Sequence, residues 1–514
     1  MIASQGDEMA PVTTAWRCYV AVFALAILFL YLANFRDGIF VWQLSQQEGG
    51  THVDEAFQIL HGQLIYRDFF EMLAPGIFYV HAFFLWLLGP TPTSVGIMII
   101  ALGVACTLAI FAISDVVLSS YWRYVPAAIF IGLTYPSYSP GNHKWPTMLL
   151  CLVGILAVVK TRSRLRCGAS GIAHGAAVLC TQDFGVAATL GMAAALWLLR
   201  VRKDGAHPLI FLAACGMTVV TVLGGFAAAA GFGTIWYDLV GFLFEQYGTS
   251  HVLTFGLGSW KLFPLWLTSF GLGGLGLAYA VSAVARRFWR SDPPSLVIVT
   301  LAGAGLLFIG GLAHPIEPTL FGVRAVPLTI IGVYLLQRAV QSRVAYPALA
   351  VGLTALGVLV MGYAAIRPIR IQFTAPLVME AHRAGKIWTY DRLDDLFWLE
   401  ANTVEGQPVF LYPDKGGFYF LSGTRGAVSY PRLYDMGFNT NAQVADAIGQ
   451  LAKQCPAVGI WHENRLLSFN TGRPELNTLK PLEQFLMRNY DIVAEFPNGA
   501  KALRRKHPAP ECVA

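Results

Sequence analysis

THVDEAFQILHGQLIYRDFFEMLAPG, residues 51–76, carries Asp54, Glu55, Asp68 and Glu71, with His52, His61 and Arg67 among them. Its flanks are apolar: CYVAVFALAILFLYLA (18–33) before it and GIFYVHAFFLWLLG (76–89) overlapping its end. Ionisable groups at this density do not sit in hydrocarbon, where each is costly. The segment is therefore a loop, and the side of the membrane it occupies fixes the topology of the chain.

The composition supports the membrane premise. The chain has 514 residues, 55% hydrophobic and 13% charged, where a soluble domain carries about 25% charged residues. Mean hydropathy is +0.55. The net charge of +6 is small for the length. Its basic residues fall in short clusters between apolar runs, which fits cytoplasmic loops and argues against a nucleic-acid surface. Eight cysteines are scattered without metal-ligand spacing. Cys106, Cys151, Cys180 and Cys215 lie in apolar runs and read as small hydrophobes. Cys455 and Cys512 share the polar C-terminal part, where a disulfide could form outside the cytoplasm. Arg17 and the run after it resemble a signal peptide. The run is long for one and no small-x-small site follows, so it reads as an uncleaved first span.

A membrane helix needs about 20 mostly apolar residues. The spans expected are 17–34, 94–118, 123–138, 145–160, 168–181, 184–199, 208–231, 259–284, 295–313, 318–337 and 345–366, about eleven in all. Residues 75–90 are short and aromatic, and read as a helix lying at the interface. With the N-terminus inside, alternate loops carry Arg123; Lys160, Arg162, Arg164 and Arg166; Arg200, Arg202 and Lys203; Arg286, Arg287 and Arg290; and Arg338 and Arg343. The opposite loops, SPGNHK, QD, 232–258 and AHPIEP, hold Lys144 and almost no other Lys or Arg. The positive-inside rule then places the 35–93 loop and everything after about 368 outside the cytoplasm.

That last part changes character. PVFLYP (408–413) and GFYFLSG (417–423) read as strands around the turn DKG. Residues 441–453 and 480–490 read as helices, AVGIWHE (457–463) as a buried strand, and the segment from Asp491 as two strands around Pro-Asn-Gly. The fold class expected is an α-helical polytopic membrane protein with a small extracytoplasmic α/β C-terminal domain.

Asp54 and Glu55 admit two readings. Asp54 is well placed to cap a helix DEAFQILHG. An acid in a loop between membrane helices also suits a general base or a metal ligand. Asp54-Glu55, Gly62, Tyr66-Arg67-Asp68-Phe69-Phe70, Pro75-Gly76 and an aromatic helix ending Leu-Leu-Gly follow one N-terminal span. This order resembles the GT-C glycosyltransferases, the class that includes the protein O-mannosyltransferases and the lipid A aminoarabinose transferase. The resemblance continues weakly in GNHKWP (141–146) and LCTQDFGV (179–186). It returns in YPDKGGFYFLSGTRGAVSY (412–430).

The resemblance divides the chain into a GT-C-like membrane domain, 1–367, with its first external loop at 35–93, and an extracytoplasmic domain, 368–514. It implies an enzyme of the bacterial inner membrane that uses a polyprenyl-phosphate sugar donor. The acceptor would be a glycolipid, a glycan or a protein on the outer face, and nucleic acid has no part. Asp54, with Glu55 beside it, matches the acidic position of the catalytic centre. A divalent metal, if one is used, would fall to the same two residues. A lipid phosphate needs cations, and Arg67, beside Asp68, and Lys144 lie on the correct side. Many members carry an acid in the second external loop. Here that loop offers His143 and Lys144 instead, which serve either substrate contact or anchoring beside Trp145.

Gln182 and Asp183 either line the cavity or form a turn, and Arg324 contacts either donor phosphate or Glu317. Trp236, Tyr237, Asp238, Glu245, Tyr247 and His251 suit sugar binding or an interface belt equally. The C-terminal domain reads as a structural cap over the site. A flippase for lipid-linked saccharide is the main alternative. It predicts polar residues spread through the spans, often with repeat symmetry, and the sequence has neither. A polymerase or ligase of the O-antigen type would also act on lipid-linked sugar, but that class lacks the acidic first loop.

Overall fold

The computed structural model describes residues 10–42, 47–138, 141–201, 203–247, 267–286, 294–313, 318–341, 362–363, 366, 368–374, 377–390, 392–412, 416–433, 439–462 and 478–507. The expected span 345–366 lies almost wholly outside these residues, as do His251, His314, Glu317 and Cys512. Among the described residues, five helices are long and apolar enough to cross a membrane: Trp16–Asn34, Pro92–Val117, Gln182–Val201, Pro208–Ala230 and Leu320–Gln341. Helices also occupy the expected spans at Lys144–Val159, Arg164–Cys180 and Pro294–Ala313, and helical runs cover 120–137 and 267–286. The run over 120–137 widens to π geometry at Phe130–Thr134. Pro136 follows directly, and its missing N–H breaks the regular ladder there.

The first three helices are α1 (Ala10–Asn34), α2 (Gln47–Leu60) and α3 (Gly76–Leu88). At 13 residues, α3 is about 20 Å long, short of the roughly 30 Å of hydrocarbon. It buries Ile77, Phe78, His81, Ala82 and Leu85 and exposes Tyr79, Phe83, Trp86 and Leu87. Both sides are apolar, so it is the shortness of α3, not an amphipathic split, that sets it apart from the spanning helices. The Pro-Gly that opens α3 has a packing cause. A Cβ on Gly76 would sit 2.7 Å from Cys180 Sγ and 2.7 Å from the Leu179 carbonyl. Gly76→Ala is expected to lower stability by about 1–3 kcal/mol. Thermal melting in detergent checks this, and an unchanged midpoint would count against the close approach.

The expected outward loops meet at one end of the helical body. His81 Nε2 lies 2.9 Å from the Gly141 carbonyl, Thr147 Oγ1 donates to Thr181 Oγ1 at 2.8 Å, and Gln182 Nε2 donates to the Met72 carbonyl at 2.7 Å. Arg123 bonds Asp115 at 2.8 Å, and Ser119 N donates to Gln337 Oε1 at 3.3 Å, where the chain turns after Val117.

Two sheets stand beside the polar end. The first has the order β1-β2-β4-β3, with β1 at Phe35–Arg36, β2 at Ile39–Trp42, β3 at Leu377–Ala381 and β4 at Gly385–Thr389. Asp37 and Gly38, at φ 49° and 76°, make the tight turn between β1 and β2. Strand β2 pairs in parallel with β4, Val41 opposite Trp388 and Trp42 opposite Thr389. This sheet crosses the expected domain boundary at 367, so the first external loop and the C-terminal part share one structure. The second sheet has the order β6-β5-β7-β9-β8, built from Pro408–Tyr412 (β5), Arg425–Gly426 (β6), Val458–His462 (β7), Tyr490–Glu495 (β8) and Ala500–Arg505 (β9). Helices Asn441–Gln454 and Lys480–Asn489 fall where the sequence places them. The former begins with a capping box between Thr440 and Gln443. Cys455, just after it, is disulfide-bonded.

One expected strand is a helix. Phe418–Ser422 is a helical turn with every residue buried, following Gly417 at φ 92°. The aromatic run has strand propensity, but a left-handed glycine and a carboxylate from another element start a helix instead.

Candidate active site

That carboxylate belongs to Asp54. The side chain does not cap its own helix, as the sequence had implied, because α2 begins at Gln47 and Asp54 lies about two turns inside it. Instead Oδ2 accepts from Gly417 N at 2.7 Å and Oδ1 accepts from Phe420 N at 2.7 Å. Asp54 is 1% exposed. It caps a helix of the C-terminal part across the membrane-proximal junction. The backbones close in around this contact. A Cβ on Gly417 would lie 2.5 Å from the Trp42 ring, and one on Gly50 would lie 2.5 Å from the Gly416 carbonyl carbon. Only glycine admits either approach.

Glu55, the next residue, faces a different partner. Arg432 Nη2 lies 3.5 Å from Glu55 Oε1 and 3.1 Å from Glu71 Oε2. Both carboxylates are buried, and Glu71 Oε1 also accepts from Leu73 N at 2.9 Å. One guanidinium from the C-terminal part thus bridges two acids of the first loop. Asp238 lies beyond Glu71, on the helical run over 232–247. Burial, then the charge of Glu71, pushes its carboxyl up to about 7. The Tyr66 hydroxyl donates to the Leu73 carbonyl at 2.6 Å. Burial, then Glu71, Asp238 and Glu55, holds that phenol well above its ordinary range.

A basic group adjoins this acidic one. The His52 ring lies 5.5 Å from that of His143 and 6.1 Å from that of His81. Lys144 Nζ donates to Tyr138 Oη at 2.7 Å and lies 3.3 Å from His143 Nε2. Burial, then Arg432, His81 and Lys144, holds His52 well below the usual histidine range, so it is neutral near pH 7. Arg432 and Lys144 therefore both act on one buried imidazole.

The remaining expected residues have other surroundings. Arg67 and Asp68 pair at 2.7 Å, Arg67 being 49% exposed, and Asp68 also accepts from Leu64 N at 2.7 Å. They close the loop on its outer side. Gln182 bonds both the Met72 carbonyl and Ala74 N, the latter at 3.2 Å, and so fixes the loop entering α3. Arg324 lies 3.9 Å from Asp183 and 4.8 Å from the Phe184 ring centre. Among the described residues no three His, Cys, Asp or Glu side chains are grouped to hold a metal. Both Asp54 oxygens are occupied by backbone amides, which leaves little room for the divalent metal that, if one is used, would fall to Asp54 and Glu55.

Sequence reasoning missed Arg432 entirely and treated Glu71 and His52 only as loop charge. The pattern that signals Glu71 is its place in the charged opening stretch. Arg432, within SYPRLYD, carries no comparable signal. An apolar cavity of about 630 Å³ is lined by Pro75, Gly76, Tyr79, Leu179, Cys180 and Phe226.

No family model and no curated protein sequence matches the chain. Solved structures do match over nearly its whole length. ArnT from Cupriavidus metallidurans, bound to undecaprenyl phosphate, aligns with a TM-score of 0.55 at 11% identity, covering 98% of this chain and 99% of that one. The oligosaccharyltransferase of Archaeoglobus fulgidus, tethered to an acceptor peptide, gives 0.52 at 12% identity, covering 95% and 74%. The arabinofuranosyltransferase AftD from Mycobacteria gives 0.51 at 12%, covering 95% and 40%. All three are GT-C membrane glycosyltransferases, and the chain has their fold.

Proposed function

We propose that this protein is a membrane glycosyltransferase that moves a sugar from a polyprenyl-phosphate-linked donor to an acceptor outside the cytoplasm. The observation that carries the reading is the junction of three features at one end of an apolar helical body. These are the Glu55–Arg432–Glu71 bridge, the buried Lys144, and the 630 Å³ apolar cavity lined by Pro75 and Gly76 at the end of the first loop. Such a transfer needs a carboxylate to receive the acceptor proton, cations for a departing lipid phosphate, and an apolar surface for a lipid chain. Lys144 is the first cation proposed for the phosphate, with Arg432 and Arg324 behind it. Arg67, tied to Asp68 on the outer side, is proposed for first contact with a head group.

His143 is proposed to position Lys144, and Gln182 and Asp183 to hold the loop and Arg324. Asp54 and Glu55 stay at the centre of the reading. Asp54 fixes the roof over the site, and Glu55 holds Arg432. The neighbours support the donor class, since one is bound to undecaprenyl phosphate and the archaeal enzyme has been solved with dolichol phosphate. The separation of basic loops supports a cytoplasmic N-terminus in a bacterial inner membrane. The disulfide at Cys455 supports an oxidising compartment for the C-terminal part. The acceptor class, whether glycolipid, glycan or protein, stays open.

The test is native mass spectrometry of the purified full chain with undecaprenyl phosphate and, separately, undecaprenol. Stoichiometric retention of the phosphate, well above that of the alcohol, is expected. Equal retention of the two, or of neither, would sink the donor assignment.

A further inference from the structure

We infer that Asp238 is a catalytic residue, the carboxylate that takes the proton from the acceptor hydroxyl. The inference rests on the glycosyl-transfer reading and assigns within it a role that no residue of the 139–144 loop can fill. That loop has no acid.

The carboxyls of the site differ in what surrounds them. Asp54 accepts a backbone N–H on each oxygen. Glu71 accepts Leu73 N on one oxygen and meets Arg432 with the other. Glu55 faces the same guanidinium. Asp238 is 3% exposed, yet among the described residues it has no hydrogen-bond donor and no ion pair. Its oxygens are not among the fully enclosed unpartnered atoms, so this deeply placed carboxyl stays open to a ligand hydroxyl.

Its placement is fixed from two sides. Ile235 and Leu239 pack against Ile65, Tyr66, Phe69 and Phe78, and the Phe242 ring lies 5.0 Å from that of Phe70. The titratable groups facing Asp238 are Glu71 and Tyr66 from the first loop, Tyr430 from the C-terminal part and Tyr237 from its own element. Arg432 and Glu55 lie beyond Glu71. Burial and Glu71 keep this carboxyl poised near neutrality, where a general base works best.

The step balances as follows. The acceptor oxygen attacks the anomeric carbon and forms the new glycosidic bond. The bond from that carbon to the phosphate oxygen breaks, and its electron pair leaves with polyprenyl phosphate. The acceptor proton passes to the Asp238 carboxylate.

Release of undecaprenyl phosphate from radiolabelled undecaprenyl-phosphate hexose, pentose and amino-sugar donors tests this, in membranes carrying the full chain between pH 5 and 9. The base is the ionised form, so the wild-type rate should rise with pH through about 7. Asp238→Asn should lower kcat by roughly 10²–10⁴-fold, leave donor KM and retained undecaprenyl phosphate unchanged, and abolish the pH limb. Asp238→Glu should restore part of the rate, which separates lost chemistry from lost folding. An Asn variant with the wild-type rate, or with the same pH limb, overturns the role of Asp238 and leaves the glycosyl-transfer reading standing. A wild-type chain that turns over none of the donors overturns both.

Discussion

Replacing Asp54 with asparagine is expected to loosen the C-terminal part from the first loop, and not only to slow turnover. The Asp54 carboxylate accepts two backbone N–H bonds, from Gly417 and Phe420, each at 2.7 Å and both buried. Hydrogen bonds to a charged partner contribute about 1.5–3 kcal/mol each, and a buried donor left unmatched costs about 1–3 kcal/mol. Asparagine keeps one acceptor oxygen and turns an N–H₂ toward the other amide. The sum is a loss of about 2–5 kcal/mol at the junction. Hydrogen exchange followed by mass spectrometry on peptides spanning 416–422 should show much faster exchange at Gly417 and Phe420. If exchange there is unchanged while activity collapses, Asp54 acts in the chemistry and the junction does not depend on it.

Arg432→Met should be the other severe change. It leaves Glu55 and Glu71 buried together without the guanidinium that lies 3.5 and 3.1 Å from them. Removing one member of a buried charge set costs about 3–5 kcal/mol, most of it the penalty on the charges left behind. A second substitution, Glu71→Gln, removes one of those charges and should recover part of the loss. A thermal-unfolding cycle of wild type, both single variants and the double variant measures the coupling. Strict additivity in that cycle would show that the bridge contributes nothing beyond its separate residues.

Local apolar pattern made most of the membrane part legible. Among the described residues, helices fall within ten of the eleven expected spans, wholly or in part, and five of them are long and apolar enough to cross a membrane, because length and hydropathy decide them with little help from context. The C-terminal helices at 441 and 480 were equally plain. The 417–423 segment was not, because its conformation is set by Asp54, far back in the sequence, and by a left-handed glycine beside Trp42. The β1–β2 hairpin escaped notice for a similar reason. Its partner strand lies in the C-terminal part. At the candidate site, the charged opening stretch supplies Asp54, Glu55 and Glu71. Asp54 and Glu55 are adjacent in sequence but diverge in space, one toward backbone amides and the other toward Arg432. Periodicity cannot reveal a cation supplied by a distant loop.

The parallel pairing of β2 with β4 also bears on how the protein is made. Val41 leaves the ribosome with the first helix, but its partner Trp388 follows only after 388 − 41 = 347 further residues. Until then β2 presents an open edge, and the Asp54 amide partners at 417 and 420 have not yet been synthesised. Non-local pairings of this kind form late and leave intermediates prone to wrong association. Each newly inserted chain therefore waits, its first loop incomplete, until its last quarter has been made. A chain cut short before Gly385 would insert its helices and never close its site.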